Sequence, residues 1–106
     1  MVGIVGGMNV SKSILQSEKQ CLICLAEQNL HCHHVYEGTG RRKISDKYGL
    51  TVYLCARHHN MSDEGVHNNK KLDKHIKKWA QKKAMEHYGW NIDEFIKIFG
   101  KNYLGV

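Results

Sequence analysis

The chain has 106 residues and a mass of 12.2 kDa, the size of one domain, and its 42% hydrophobic and 25% charged residues are the balance of a soluble globular protein. No apolar run approaches the ~20 residues of a membrane helix, and with no proline present, polyproline and collagen-like architectures are excluded. The net charge of +6 is uneven: residues 1–69 carry seven Lys/Arg against six Asp/Glu (+1), and residues 70–106 carry nine against four (+5). A basic C-terminal third suits a polyanionic partner such as nucleic acid, the plainer reading being the solvated face of a lysine-rich helix.

Residues 1–8 are apolar and glycine-rich but lack the basic start and longer apolar core of a secretory signal. Residues 1–17 therefore read as a flexible leader, and the chain as cytoplasmic. In that compartment four cysteines suggest metal before disulfides. Residues 11–20 suit a short, weak helix. Cys21-Leu-Ile-Cys24 reads as a tight metal knuckle. Residues 30–36 are predicted as a first strand, and 37–43 (Glu-Gly-Thr-Gly-Arg-Arg-Lys) as a basic loop. Residues 50–55, rich in β-branched and aromatic side chains, are the clearest strand. A short helix begins at 56–61, followed by a turn at 62–65.

The strongest element is a helix over 70–88. Leu72, Ile76, Trp79, Ala80, Lys83, Ala84 and Tyr88 fall at helical spacing, the other six of its seven lysines cover the rest, and Gly89 ends it. Asn91 caps a second helix, with Asp93 and Glu94 in its first turn and Ile92, Phe95, Ile96 and Phe99 as its buried face. Trp79 and Trp90 read as core. The elements amount to an α+β chain.

Two residues separate Cys21 from Cys24, and two separate Cys55 from His58. Brought together, such knuckles make a closed tetrahedral zinc site of three thiolates and one imidazole. Cys32 is the spare and reads as packed rather than ligating. His33, His34, His59 and His67 form a second group. Neighbours in a strand point to opposite faces, so His33 and His34 need not serve one ion. Neighbours in a helix stand ~100° apart, so His58 can face zinc while His59 faces another centre. The group suits a labile metal with a free base beside it. His31, His75 and His87 read as solvated or satisfied locally.

Cys21-x2-Cys24, His33-His34-Val, Leu-Cys55-x2-His58-His59-Asn and His67 together resemble the HNH endonuclease family in its zinc-knuckle form, as found in small phage and prophage proteins. The resemblance implies a zinc-stapled ββα-metal core, a β-hairpin plus helix, followed by two C-terminal helices. It implies one nuclease domain over 18–106, with a basic helical part at 70–106, in a bacterial or phage-encoded cytoplasmic protein. It implies structural Zn2+ on Cys21, Cys24, Cys55 and His58, a catalytic divalent ion (Mg2+ or another) on His33, His59 and His67, and His34 as general base. Two departures stand out: residues 35–58 hold no asparagine for the family's middle position, and seven residues separate His59 from His67 where the family's last two histidines are usually closer. Ser45, Asp46, Tyr48 and Asn60 are the candidates to orient His34 instead.

The implied activity is metal-dependent hydrolysis of DNA, double-stranded most readily, with weak sequence specificity. Arg41, Arg42 and Lys43 would contact phosphates, and Lys77 and Lys78 on the long helix would extend that surface; such contacts position a duplex without reading its bases. The alternative is a zinc-stabilised nucleic-acid-binding protein with a degenerate nuclease site, which the missing asparagine favours.

Overall fold

The computed structural model describes residues 13–38, 40–62 and 65–105. Along them run β1 (Leu30–His34), α1 (Arg41–Tyr48), β2 (Thr51–Cys55), a π-helical turn (Arg57–Met61), a 3-10 turn (Val66–Asn68), α2 (Lys70–Tyr88) and α3 (Ile92–Phe99). The strands pair antiparallel, with Leu30 opposite Cys55 and His34 opposite Thr51. The architecture is α+β. Among the described residues, no helix is long and apolar enough to cross a membrane.

The two C-terminal helices form where local chemistry starts and stops them. The Asn69 side chain accepts the Leu72 N–H at the start of α2, and Gly89 ends it in the left-handed conformation at φ 72°. Asn91 and Glu94 exchange side-chain and backbone bonds in a capping box that opens α3. Its apolar face turns slightly from the predicted one. Ile96 is exposed, and Ile98 packs on the core with buried Phe95 and Phe99. On α2, Lys83 is exposed and the neighbouring Gln81 is buried instead. Trp79 and Trp90 are partly buried against the core.

Other stretches depart from local expectation. The leader's residues 1–12 lie outside the described residues, but 13–16 are docked rather than loose. Ser13 Oγ donates to Thr51 O (2.6 Å), Ile14 N–H to Gly49 O (2.9 Å), and Gln16 Oε1 accepts the Tyr53 N–H (2.8 Å). Ser13 Oγ also accepts the N–H groups of Leu15 and Gln16, and residues 13–20 form no helix. A serine closing such a turn offers the backbone an alternative to helix. The basic stretch predicted as loop begins α1 at Arg41, so the strands are joined through a helix rather than a tight hairpin. No side chain caps α1. What holds it is Ser45, buried within it, whose hydroxyl accepts the Tyr36 N–H (3.2 Å) and donates to the Tyr36 carbonyl (2.8 Å).

Tyr36 joins the layers. It is fully buried, its ring packs on Phe95, Phe99 and Tyr103, and its hydroxyl donates to Lys77 O (2.6 Å). The segment after α3 is held by Gln81, whose Nε2 donates to Asn102 Oδ1 (2.9 Å) and whose Oε1 accepts the Tyr103 N–H (2.7 Å). Truncating a buried amide strands both partners, at a cost of about 1–3 kcal/mol. Gln81→Ala is expected to lose that much in urea unfolding and to raise proteolysis after residue 100; unchanged stability would show that the segment is held some other way.

Candidate functional site

The Cys21-x2-Cys24 knuckle is a tight reversal. The Leu25 N–H donates to Cys21 O (2.9 Å) and the Cys21 N–H to Ala26 O (2.8 Å). Leu25 sits at φ 67°, a left-handed conformation costing a branched residue about 1–2 kcal/mol. The second half comes from the end of β2 and the turn after it. Cys21 Sγ lies 3.7 Å from His58 Nδ1, Cys24 Sγ 3.7 Å from Cys55 Sγ, and Cys55 Sγ 3.3 Å from His58 Nδ1. Tetrahedral zinc with sulfur at ~2.3 Å and nitrogen at ~2.0–2.1 Å has ligand–ligand edges of about 3.5–3.8 Å. The four groups thus have the spacing to hold one metal ion such as zinc. Burial pushes the Cys21 thiol up, but backbone hydrogen bonds at Cys24, Cys55 and Ile23 outweigh it and bring it down to about 6, toward the ligating thiolate. Among the described residues the cysteines are free thiols. Cys32 is exposed rather than packed, and joins neither cluster.

The next residue of the same turn, His59, faces a second cluster with His33 and His67, one nitrogen of each lying within 4.8 Å of the others. His59 Nε2 and His67 Nε2 are 3.0 Å apart. Two imidazoles sharing one ion at ~2.0–2.1 Å are separated by about 3.0–3.4 Å. Gly65 and Asn68 pack closely on the turn that carries His59. A Cβ on Gly65 would lie 2.9 Å from His59 C and O, and Asn68 Nδ2 donates to the carbonyls of Asn60 and Ser62. That close approach carries His67 back to His59 despite the long gap.

His33 is only 2% exposed, and its Nε2 has no hydrogen-bond partner among the described residues. A buried ring nitrogen without a partner, beside two other imidazoles, has the donor chemistry to hold a cation. Its Nδ1 lies 3.3 Å from Glu37 Oε2, which is also 3.7 Å from His67 Nε2. Burial first, then His59, His67, His34 and Lys77, hold His33 down at about 3. Burial, His67 and His31 hold His59 at about 4. Both rings are therefore neutral, the form that ligates. His31, expected to stand apart, puts Nδ1 2.8 Å from His59 Nδ1.

His34 borders the same cavity, of about 250 Å³, as His33, Glu37, Arg42, His59 and His67. Its Nε2 lies 2.8 Å from Asp46 Oδ1 on α1, so of the four candidates for orienting it Asp46 is the one in contact. Arg42 and Lys43 line the adjoining hollow beside His34 and Asp46. Arg41 points elsewhere: its guanidinium lies against Gly100 at the C-terminal end of α3, where a cation is favourable. Lys77 pairs with Asp73 (2.8 Å), and Lys78 is exposed on α2. Glu37, His31 and Asp46 are the participants that spacing alone did not single out; Glu37, four residues after His33, had the only local signal.

Comparison with protein-family models, curated proteins and solved structures finds no match to this chain.

Two outcomes follow. Removing one knuckle ligand by Cys55→Ser should abolish stoichiometric zinc and unfold much of the chain, since metal supplies folding free energy on the order of 10 kcal/mol in small zinc domains. Cobalt substitution should give the absorption of tetrahedral thiolate ligation, and full thermal stability after metal removal would refute the assignment. For His33 the folded state titrates near 3 and an unfolded histidine near 6.5. Between those values the unfolded chain binds the extra proton, so the contribution is complete above pH 6.5 and is lost as pH falls toward 3. Urea midpoints should therefore drop from pH 7 to pH 5, by up to about 1.4 kcal/mol per pH unit for this group, and His33→Asn should remove that part of the slope.

Proposed function

We propose that this protein is a metal-dependent DNA endonuclease built on a zinc-stapled ββα-metal core, the helical part of that core being the short turn after β2. The observation that carries the reading is the convergence of His33, His59 and His67 beside a fourth histidine, His34, held by a carboxylate. The three-imidazole set and the orphaned His33 Nε2 fit a divalent ion. Nitrogen donors suit Mn2+, Co2+, Ni2+ or Zn2+ better than Mg2+, which prefers oxygen. When bound, the ion supplies Lewis-acid stabilisation of the charge that develops on the phosphate and the leaving oxygen.

The chain's own residues do the rest. Glu37 accepts from His33 Nδ1–H, which leaves Nε2 as the ligating lone pair. Asp46 accepts from His34 Nε2–H and fixes that tautomer, so Nδ1 is the lone pair that takes a proton from the attacking water. Arg42 and Lys43 hold the phosphate next to His34, with Lys77 and Lys78 further along α2. Cations on a phosphate backbone set position rather than sequence, which makes cleavage weakly specific.

The test is plasmid cleavage with Mn2+, Ni2+ or Mg2+, with and without chelator. His34→Ala should lower turnover ~100–10,000-fold while zinc content and fold stay intact. Asp46→Asn should also lower it without changing zinc content. Wild-type turnover in His34→Ala would place the base elsewhere. No cleavage with any of these ions, together with retained DNA binding, would favour a nucleic-acid-binding protein without catalysis.

A further inference from the structure

A cationic groove lies apart from the His33, His59 and His67 cluster, between α2 and residues 101–105. Lys70, Lys74, Lys77 and Lys78 line one wall, and Lys101 and Tyr103 the other. Its volume is about 770 Å³, three times that of the histidine cavity at about 250 Å³. The acid lining it, Asp73, is already paired with Lys77 at 2.8 Å. The far wall is built rather than loose: Gln81 holds Asn102 and Tyr103, and the ammonium groups of Lys77 and Lys101 lie 5.7 and 5.4 Å from the Tyr103 ring. The groove is also continuous with the site. A smaller hollow shares Lys70, Asp73 and Lys77 with it and shares Glu37 and His67 with the histidine cavity.

We propose that this groove seats the nucleic-acid backbone beyond the scissile phosphate, so that the ligand is a chain of several nucleotides laid along α2 rather than a single phosphate. The choice of nucleic acid over another polyanion rests on the nuclease reading of the cluster into which the groove opens. The spacing supports a chain. Lys70, Lys74 and Lys77/Lys78 form one helical stripe, about 12 Å long at 1.5 Å per residue. At ~3.4 Å of rise per nucleotide along a strand, that length spans three to four phosphates. Lys82 and Lys83, on the same helix, do not line the groove.

The experiment is fluorescence anisotropy of the zinc-loaded full chain with a labelled 20-base-pair duplex, from low to moderate salt. The paired variant Lys74→Gln/Lys101→Gln removes two groove cations; Lys82→Gln/Lys83→Gln removes the same charge outside it. All four lysines are exposed, and circular dichroism checks that both variants fold as the parent does. The groove pair should weaken binding roughly 10- to 100-fold at 0.1 M salt and flatten the log K against log salt slope by about 1.8, two contacts at 0.9 each. The control pair should change neither by more than a small fraction of this. Equal losses in the two pairs, no loss in the groove pair, or competition by poly-glutamate as effective as unlabelled duplex would overturn the proposal. No arm depends on cleavage. A chain that binds through the groove yet cuts nothing refutes the nuclease reading alone, and one that cuts plasmid but ignores the groove pair refutes the groove alone.

Discussion

The turn after β2 has to serve two clusters with consecutive side chains. Cys55 closes the strand, His58 completes the cysteine group, and His59 belongs with His33 and His67. Adjacent residues on a helical turn project in different directions, so one turn can face two centres at once. The second layer is as tight. Gly65 lets the following backbone lie on His59 with no room for a Cβ, and Asn68 ties it to two carbonyls of the turn. A chain this small has little core to enforce such placement. A metal on the first cluster would hold the second in register through a single peptide unit.

A second lock is built around Tyr36. Tyr36 is pinned to α2 by its hydroxyl and to α3 by its ring, and its peptide exchanges hydrogen bonds with Ser45 on α1. The residue after Ser45 is Asp46, which meets His34. The packing of Tyr36 and the placement of a half-buried imidazole therefore share one helix. Helix α1 forms against its own electrostatics, with three cations at its positive end and an uncapped glycine before them. Its stability comes from burial of Ser45, contact with β1 and α3 and the left-handed Gly49 that closes its C-terminus, not from its first turn.

Charge is distributed to complement those two locks. At the centre, burial and the neighbouring imidazoles keep His33 and His59 neutral. Around them lie Arg42, Lys43 and the lysines of α2, with Glu37 and Asp46 each engaged by a histidine. Two neutral nitrogen donors thus sit inside a cationic rim, a charge pattern that favours polyanions at the surface.

Several features written at short range are legible in the chain itself. The two-residue spacings pair Cys21 with Cys24 and Cys55 with His58, neighbouring positions separate His58 from His59, and helical periodicity with Asn and Gly caps marks α2 and α3. These features depend on a few consecutive residues and on the fixed geometry of knuckle and helix. Long-range packing supplied the remainder. It chose Asp46 for His34, brought His31 and Glu37 to the cluster, and turned Arg41 away to Gly100. It also buried Gln81, docked residues 13–16 on β2, and made a helix of a stretch that reads as a loop. Nearly all of these outcomes rest on contacts between residues distant in the chain, and Glu37 is placed by His67 as well as by nearby His33. Local periodicity carries no information about such contacts, because the partner is supplied by packing rather than by position.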